Sequence, residues 1–452
     1  MVPSSPAASP ASPETGAPER HPAIGVVGGG QLALMLAAAA RELNLPLLVQ
    51  TPDADDPAVR LASDVILAGV GDVEGTRHLA QRCSAITFEN EWVDLSGLAP
   101  LAAQGVRFVP SLTALEPLVC KRSQRELLLR LNLPSPPWLP LDELLTVPEH
   151  GDHHRRDGDR PDGHGYDVHG YDVHGVAATA GGAATAAAAP HATVLRHGWQ
   201  FPLMAKAASG GYDGKGTALL RDRDDLEALL ERVDPERWIV EPVVEFEQEL
   251  SQLVCRDSHG RVLCYPLVRT HQHQRVCDWV LAPAPVSHVL QAYARNIATS
   301  LLTALDYVGV LSIEFFYGRS GLQVNEIAPR THNSGHVTIE AARTSQFAQQ
   351  ARIVAGLPMG PVEFKVPGAL MVNLLGFEHS DASPDDAYRA QREALAALPG
   401  ASLHWYGKRG ARPGRKLGHI TLPLEGPGPA ALEQQARERL QVVRSLWPLP
   451  PP

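Results

Sequence analysis

The chain has 452 residues, 44% hydrophobic and 20% charged, with a formal net charge of -10, which is long enough for several domains with sizeable cores. The acidic balance argues against nucleic acid as the main partner, and no apolar run approaches the roughly 18 residues that span a bilayer. The five cysteines are odd in number, scattered and never spaced C-x-x-C, which argues against a disulfide framework or zinc site and suits a cytoplasmic protein.

Residues 1–22 are rich in Pro, Ser and Ala and lack a basic stretch followed by an apolar one. They read as a disordered tail rather than a signal peptide. From Ala23 to about Pro117 the β candidates AIGVV, LPLLVQ, DVILAG, SAITFE and VRFVP alternate with helical patterns such as Gln31–Leu43. That alternation predicts a parallel α/β unit. Its first turn, GVVGGGQLALM, sets Gly28, Gly30 and Ala33 in the G-x-G-x-x-G/A pattern, with Asp53 about where a ribose-binding acid is expected. A phosphate at the helix N-terminus is therefore expected here. PLVCKRSQRELLLRLNLPSPPW then reads as a helix stopped by Pro134.

Residues 150–193 differ in kind, with the repeat GYDVHGYDVHG, seven histidines and an Ala/Gly/Thr run almost without large apolar residues. A His-rich metal tract and a flexible insertion are the two readings, and the low apolar content favours the second. Longer strands of period two follow Gln200: FPLMAKAAS, TALLRD, RWIVEPVV, QELSQLVCRD and RVLCYPLVRT. The loop in KAASGGYDGKGT packs four glycines into seven residues, letting backbone N–H groups approach phosphate oxygens. It is not a Walker A loop, since Ser209 stands where glycine is required and Gly216 follows Lys215. WIVEPVVEFEQEL offers backbone groups to an adenine edge and the carboxylates of Glu241 and Glu249 to ribose hydroxyls.

A helix over HVLQAYARNIATSLLTALD precedes YVGVLSIEFFYGRSGLQVNEIAPR, which reads as two strands around the turn GRSG. Glu314 and Glu326 each lie six residues from Ser320, so they sit roughly opposite each other across the pair. Opposed carboxylates on one face destabilise a sheet unless a cation lies between them, and all-oxygen ligands point to magnesium. The chain ends in short strands around the basic segment KRGARPGRKLGH.

These segments in this order resemble the ATP-grasp superfamily. GGGQL, ITFE, GGYDGKG, LDYVGVLSIEFF, VNEIAPRTHNSGH with TSQF, and HWYGK with RPGRKLGHI are similar to its 5-(carboxyamino)imidazole ribonucleotide synthase family. The resemblance implies an α/β and α+β chain with the ATP-grasp fold. It would comprise a Rossmann-like pre-ATP-grasp domain at 23–117, the ATP-grasp body at 118–365 and a small C-terminal domain at 366–452. It also implies a homodimer that uses ATP, two magnesium ions, bicarbonate and aminoimidazole ribonucleotide in purine biosynthesis. Formate-dependent glycinamide ribonucleotide transformylases share the core and are the alternative. An oxidoreductase built on the opening turn would leave the carboxylate hairpin unexplained, and a non-catalytic nucleotide sensor would not need both Glu314 and Glu326.

By resemblance, Glu314 and Glu326 hold magnesium. Lys121, Lys206, the loop Gly211, Tyr212, Asp213, Gly214, Lys215, Gly216 and Thr217, and Asn325 with Glu326 surround the ATP phosphates. Glu241, Pro242, Val243, Val244 and Glu249 hold adenosine. Gln31, Leu32, Glu89, Asn333, Ser334, Lys408, Arg412 and Arg415 bind the ribonucleotide, whose 5′-phosphate takes over the opening turn while Asp53 loses its role. Arg330 and His332, with Tyr212 and Asp213, are the catalytic candidates, the first two beside bicarbonate. Two departures stand out. Lys121 and Arg125 exchange the family's usual arginine and lysine, keeping the charge. In VRTHQHQRVCDWV a gapless match puts Gln272 at the usual nucleotide histidine, so either His273 substitutes after a shift or this contact is absent.

Overall fold

The computed structural model describes residues 22–145, 198–210 and 216–451. The 150–193 insertion, Gly211–Lys215 of the glycine loop and all of the expected tail but Pro22 lie outside the described residues. Among the described residues no helix is long and apolar enough to cross a membrane.

The first unit carries β1 (Ile24–Val27), β2 (Leu47–Thr51), β3 (Asp64–Leu67) and β4 (Ala85–Phe88). They pair in parallel in the order β3-β2-β1-β4, as short apolar runs joined by helices require. VRFVP does not become a fifth strand. Only Phe108 bridges, to Ile86, because Pro110 follows and has no N–H to donate. The helix Gln31–Glu42 buries Ala33, Leu34, Met35 and Leu36 in a core shared with Phe347 and Val354 of the helix Gln346–Val354. That shared core fixes the first unit against the body.

A small antiparallel sheet follows, with β5 (Leu139–Pro140), β6 (Leu203–Ala207), β7 (Thr217–Leu220) and β8 (Trp238–Pro242) in the order β5-β8-β6-β7. Leu203, Ala205, Leu220 and Val240 pack its inner face against Leu226 and Leu229 of the helix Arg223–Leu230.

The large sheet contains β9 (Gln248–Arg256), β10 (Val262–Cys264), β11 (Val268–His273), β12 (Val276–Ala282), β13 (Gly309–Gly318), β14 (Gly321–Ala328), β15 (Gly368–Leu375), β16 (Ser402–Trp405) and β17 (Lys416–Leu424). Its order is β14-β13-β9-β11-β12-β15-β17-β16, with β10 against β9. RVLCYPLVRT, expected as one strand, breaks between β10 and β11 around Pro266. The helix His288–Ala304, capped by Ser287 Oγ on the Leu290 N–H at 3.2 Å, buries Ala294, Ile297, Ala298 and Leu301 against β9 and β13. Residues Trp279–Ala282 of β12 pair directly with Ala369–Val372 of β15. The strands expected in a separate C-terminal domain therefore continue the sheet of the body, and the expected boundary at 366 is not a break in hydrogen bonding.

Candidate active site

The turn between β13 and β14 pairs Gly318 with Gly321 and Phe315 with Val324. Continued unbroken, that register would set Glu314 against Asn325. It shifts between Glu314 and Phe315, so Asn325 becomes the extra residue of a bulge and Glu314 faces Glu326. Counting from Ser320 gives the same pair, but the count contains no bulge. Directly opposed residues share a face, and both carboxylates are partly buried, at 24% and 37% side-chain exposure. Lys121 Nζ lies 2.9 Å from Glu326 Oε2, and His332 Nε2 lies 3.5 Å from Glu314 Oε1.

Burial, with Glu326 and Glu249 nearby, pushes the Glu314 carboxyl up to about 7. Burial would also raise Glu326, but the charge and hydrogen bond of Lys121 outweigh it and bring Glu326 down to about 2. Near neutral pH the pair can therefore keep one proton, where a divalent cation would hold both groups ionised. Among the described residues no three His, Cys, Asp or Glu side chains form a metal-holding group. A site of two carboxylates fits magnesium, which completes its shell with phosphate oxygens and water, and does not fit a protein-only zinc site.

Lys206 on β6 reaches Asn325 Oδ1 at 3.2 Å and Glu241 Oε2 at 2.6 Å. Arg125 Nε meets Glu241 Oε1 at 2.6 Å, and its Nη2 donates to the Asn325 carbonyl at 2.8 Å. The Glu241 carboxylate is 2% exposed and enclosed by two cations, so it braces Lys206. The same network pins the bulge: Asn325 is held from both its backbone and its side chain. Removing one partner of so buried a pair costs about 3–5 kcal/mol.

After Pro242 the linker exposes Val243, at 39%, with Val244 half-buried. Phe246 stacks on Phe316 at 4.8 Å, completing an apolar wall before Glu249 on β9. Burial pushes Glu249 up to about 7, against the opposing charge of His271 and the Gln272 N–H. His273, the expected nucleotide contact, ends β11. A register shift between His271 and Gln272 leaves His271 coupled to Glu249, while the His273 ring meets the Pro450 carbonyl at 3.3 Å. At the end of the glycine loop, Gly216 has φ +76°, its carbonyl accepts from the Ala207 N–H at 2.7 Å, and Thr217 stands in register with Lys206. A pocket lies between Lys121, Gly210 and Glu326 on one side and Glu91 and Trp92 of the first unit on the other.

The opening glycine turn is corrected. Glu89 Oε2 accepts from the Gly30 N–H at 2.6 Å, and Oε1 accepts from Leu32 and Ala33 at 3.0 and 3.4 Å. A carboxylate thus occupies the helix N-terminus where a phosphate was expected, satisfying the same donors and dipole. A Cβ on Gly28, whose φ is +111°, would lie 2.6 Å from the Glu89 Cβ. The glycine makes room for a protein side chain. Burial raises the Glu89 carboxyl, opposed by these N–H bonds and by the charge of Lys408. Lys408 Nζ in turn donates to Gln31 Oε1 at 2.7 Å, joining two expected ribonucleotide residues 377 positions apart.

The other expected residues divide. Arg330 reaches Glu91 through Nε at 2.6 Å and Nη2 at 3.4 Å. His332 Nδ1 meets Ser334 Oγ at 2.9 Å. Asn333 and Asn373 exchange amide hydrogen bonds at 3.0 and 2.7 Å, and Ser334 Oγ lies 2.7 Å from Ser251 Oγ. Both Asn333 and Ser334 are buried, and their hydrogen bonds support the His332 loop. Arg415 Nη1 bonds the Gly410 carbonyl at 2.6 Å and closes its own loop, while Arg412 remains exposed. Sequence reading missed Glu91, the partner of Arg330. Its signal was position: in FENE it sits two residues after Glu89, on the same exit from β4.

Comparison with known proteins agrees with this architecture. The ribonucleotide synthetase preATP-grasp domain matches residues 22–118, the ATP-grasp domain 179–347, and the phosphoribosylaminoimidazole carboxylase C-terminal domain 369–426. The chain is 44% identical over 433 residues to N5-carboxyaminoimidazole ribonucleotide synthase of Synechococcus elongatus, covering 96% of this chain and 97% of that one. The crystal structure of the Thermus thermophilus synthetase of that name superposes with TM-score 0.74 at 30% identity, covering 95% and 99% of the two chains. The Aspergillus clavatus synthase in complex with ADP and 5-aminoimidazole ribonucleotide gives TM-score 0.74 at 28% identity, covering 94% and 99%. The chain therefore belongs to the N5-carboxyaminoimidazole ribonucleotide synthase family, ATP-dependent ligases with the ATP-grasp fold.

Proposed function

We propose that this chain carboxylates 5-aminoimidazole ribonucleotide with bicarbonate at the cost of ATP, and that the residues above do so in the following way. ATP lies between the small and the large sheet, its adenosine along Pro242–Val244 and Glu249 and its phosphates beside Lys121, Lys206, Thr217 and the glycine loop. Glu314 and Glu326 would hold magnesium, which when bound neutralises charge on the β- and γ-phosphates. Arg330, neutralised on one side by Glu91, and His332, set by Ser334, lie next to that pair and hold bicarbonate in line with the γ-phosphorus. A bicarbonate oxygen forms a bond to phosphorus as the bond to the ADP oxygen breaks, giving carboxyphosphate. That species releases phosphate and CO2, and the exocyclic amine of the ribonucleotide attacks the carbon and gives up a proton.

The observation that carries this reading is the continuity of charged groups between the two ends. Glu91, which holds Arg330 at 2.6 Å, lines one pocket with Lys121 and Glu326 at the phosphate end. Glu89, on the same exit from β4, lies on the turn where Lys408 reaches Gln31 at the ribonucleotide end. The 5′-phosphate falls to Lys408 beside Gln31, with the exposed Arg412 of the same C-terminal segment, because Glu89 already fills the glycine turn. A cytoplasmic homodimer belongs to the same proposal, and the five unpaired cysteines suit a reducing compartment. The test is a coupled assay of ADP release. Turnover should require both the ribonucleotide and bicarbonate, and folded protein releasing ADP equally well without the ribonucleotide would refute the assignment.

A further inference from the structure

The hairpin between β11 and β12 turns on Gln274 and Arg275, whose φ values are +50° and +66°. Two successive left-handed residues suit the tightest hairpin turn, whose preferred occupants are Asn, Asp and Gly. A residue with a Cβ is disfavoured there, and such strain persists where surrounding contacts fix it. Those contacts reach two distant parts of the chain. Arg275 Nη1 donates to Thr217 Oγ1 at 2.9 Å and to the Thr217 carbonyl at 3.2 Å. His273 Nε2 lies 3.3 Å from the Pro450 carbonyl, and Gln274 Nε2 donates to that of Pro451 at 3.1 Å.

Thr217 heads β7 and stands in register opposite Lys206 on β6. Arg275 belongs to the large sheet and Thr217 to the small one, so this contact spans the two layers outside the bond from Lys206 to Asn325. We propose that Arg275 is a positioning residue for the nucleotide: it holds the head of β7, and with it the Lys206 strand, at a fixed place across the cleft. This rests on the reading that ATP lies between the two sheets. The hairpin is braced from behind by the C-terminal residues, which keeps the guanidinium aimed at Thr217.

The test uses the full-length chain with Arg275→Gly and Arg275→Asn. Both residues accept the left-handed backbone and neither reaches Thr217. Two hydrogen bonds to neutral acceptors correspond to about a five- to 150-fold change in affinity. The KM for ATP, and the dissociation constant of a non-hydrolysable ATP analogue measured by calorimetry, should rise by that factor. The kcat should change less than about twofold by the same reasoning, with KM for the ribonucleotide unmoved. Arg275→Lys should restore part of the affinity, since its ammonium can reach the same oxygens. The thermal midpoint of Arg275→Gly should stay at or above that of the wild type, because the turn is relieved. Unchanged ATP constants in both variants would overturn the proposal, as would a rise accompanied by a lowered midpoint. A wild-type chain that does not bind the analogue would overturn the placement of ATP, and the role of Arg275 with it.

Discussion

Replacing Glu314 by Gln should stabilise the metal-free chain while destroying its activity. Glu314 stands at about 7 in the folded chain against an ordinary 4.5. Because the folded value is the higher, the native state binds more protons between pH 4.5 and 7, and stability falls as pH rises through that window. At about 1.4 kcal/mol per unit, the shift corresponds to roughly 3 kcal/mol of destabilisation above pH 7. Gln keeps the shape and sheds the charge, so it removes the cost of ionising a buried carboxyl beside Glu326. The assay is thermal unfolding in EDTA at pH 5.5 and 8.5. The wild type should lose more stability between these pH values than Glu314→Gln, by a few degrees in midpoint, and magnesium with ATP should recover that loss in the wild type alone. Parallel pH profiles for the two proteins would refute the reasoning, because they would mean that Glu314 ionises freely in the fold.

Two further substitutions probe the two ends of the site. Glu326→Gln should reduce kcat by about three orders of magnitude with the far-ultraviolet circular dichroism unchanged, and wild-type turnover would contradict the role of the carboxylate pair. Lys408→Ala removes the 2.7 Å bond to Gln31 and should raise KM for the ribonucleotide about tenfold, leaving KM for ATP as it was. A parallel rise in both constants would place Lys408 outside the ribonucleotide end.

What the sequence made legible was local or carried by a specific run. The carboxylate hairpin could be found because a two-residue turn and two glutamates are close in the chain. The RTHNSGH run likewise stands in one contiguous segment. The parts that were not legible depend on partners far apart. Glu89 lies 59 residues from Gly30, whose N–H it takes, so the glycine turn read as a phosphate site when a carboxylate fills it. Arg125 and Lys206 enclose Glu241 from two other elements, which makes its carboxylate a brace. The register shift between His271 and Gln272 is one that period-two counting cannot contain. The continuity of β12 with β15 was hidden because strands give no signal in sequence of which neighbour they will bond.

The central claim is that ATP activates bicarbonate before carbon reaches the ribonucleotide amine. Supplying bicarbonate labelled with oxygen-18 and analysing the phosphate by mass spectrometry tests this directly. The bicarbonate oxygen that attacks the γ-phosphorus stays on phosphate when carboxyphosphate breaks down, so a labelled oxygen should appear in the phosphate released with each product molecule. Product formation with unlabelled phosphate would contradict the account.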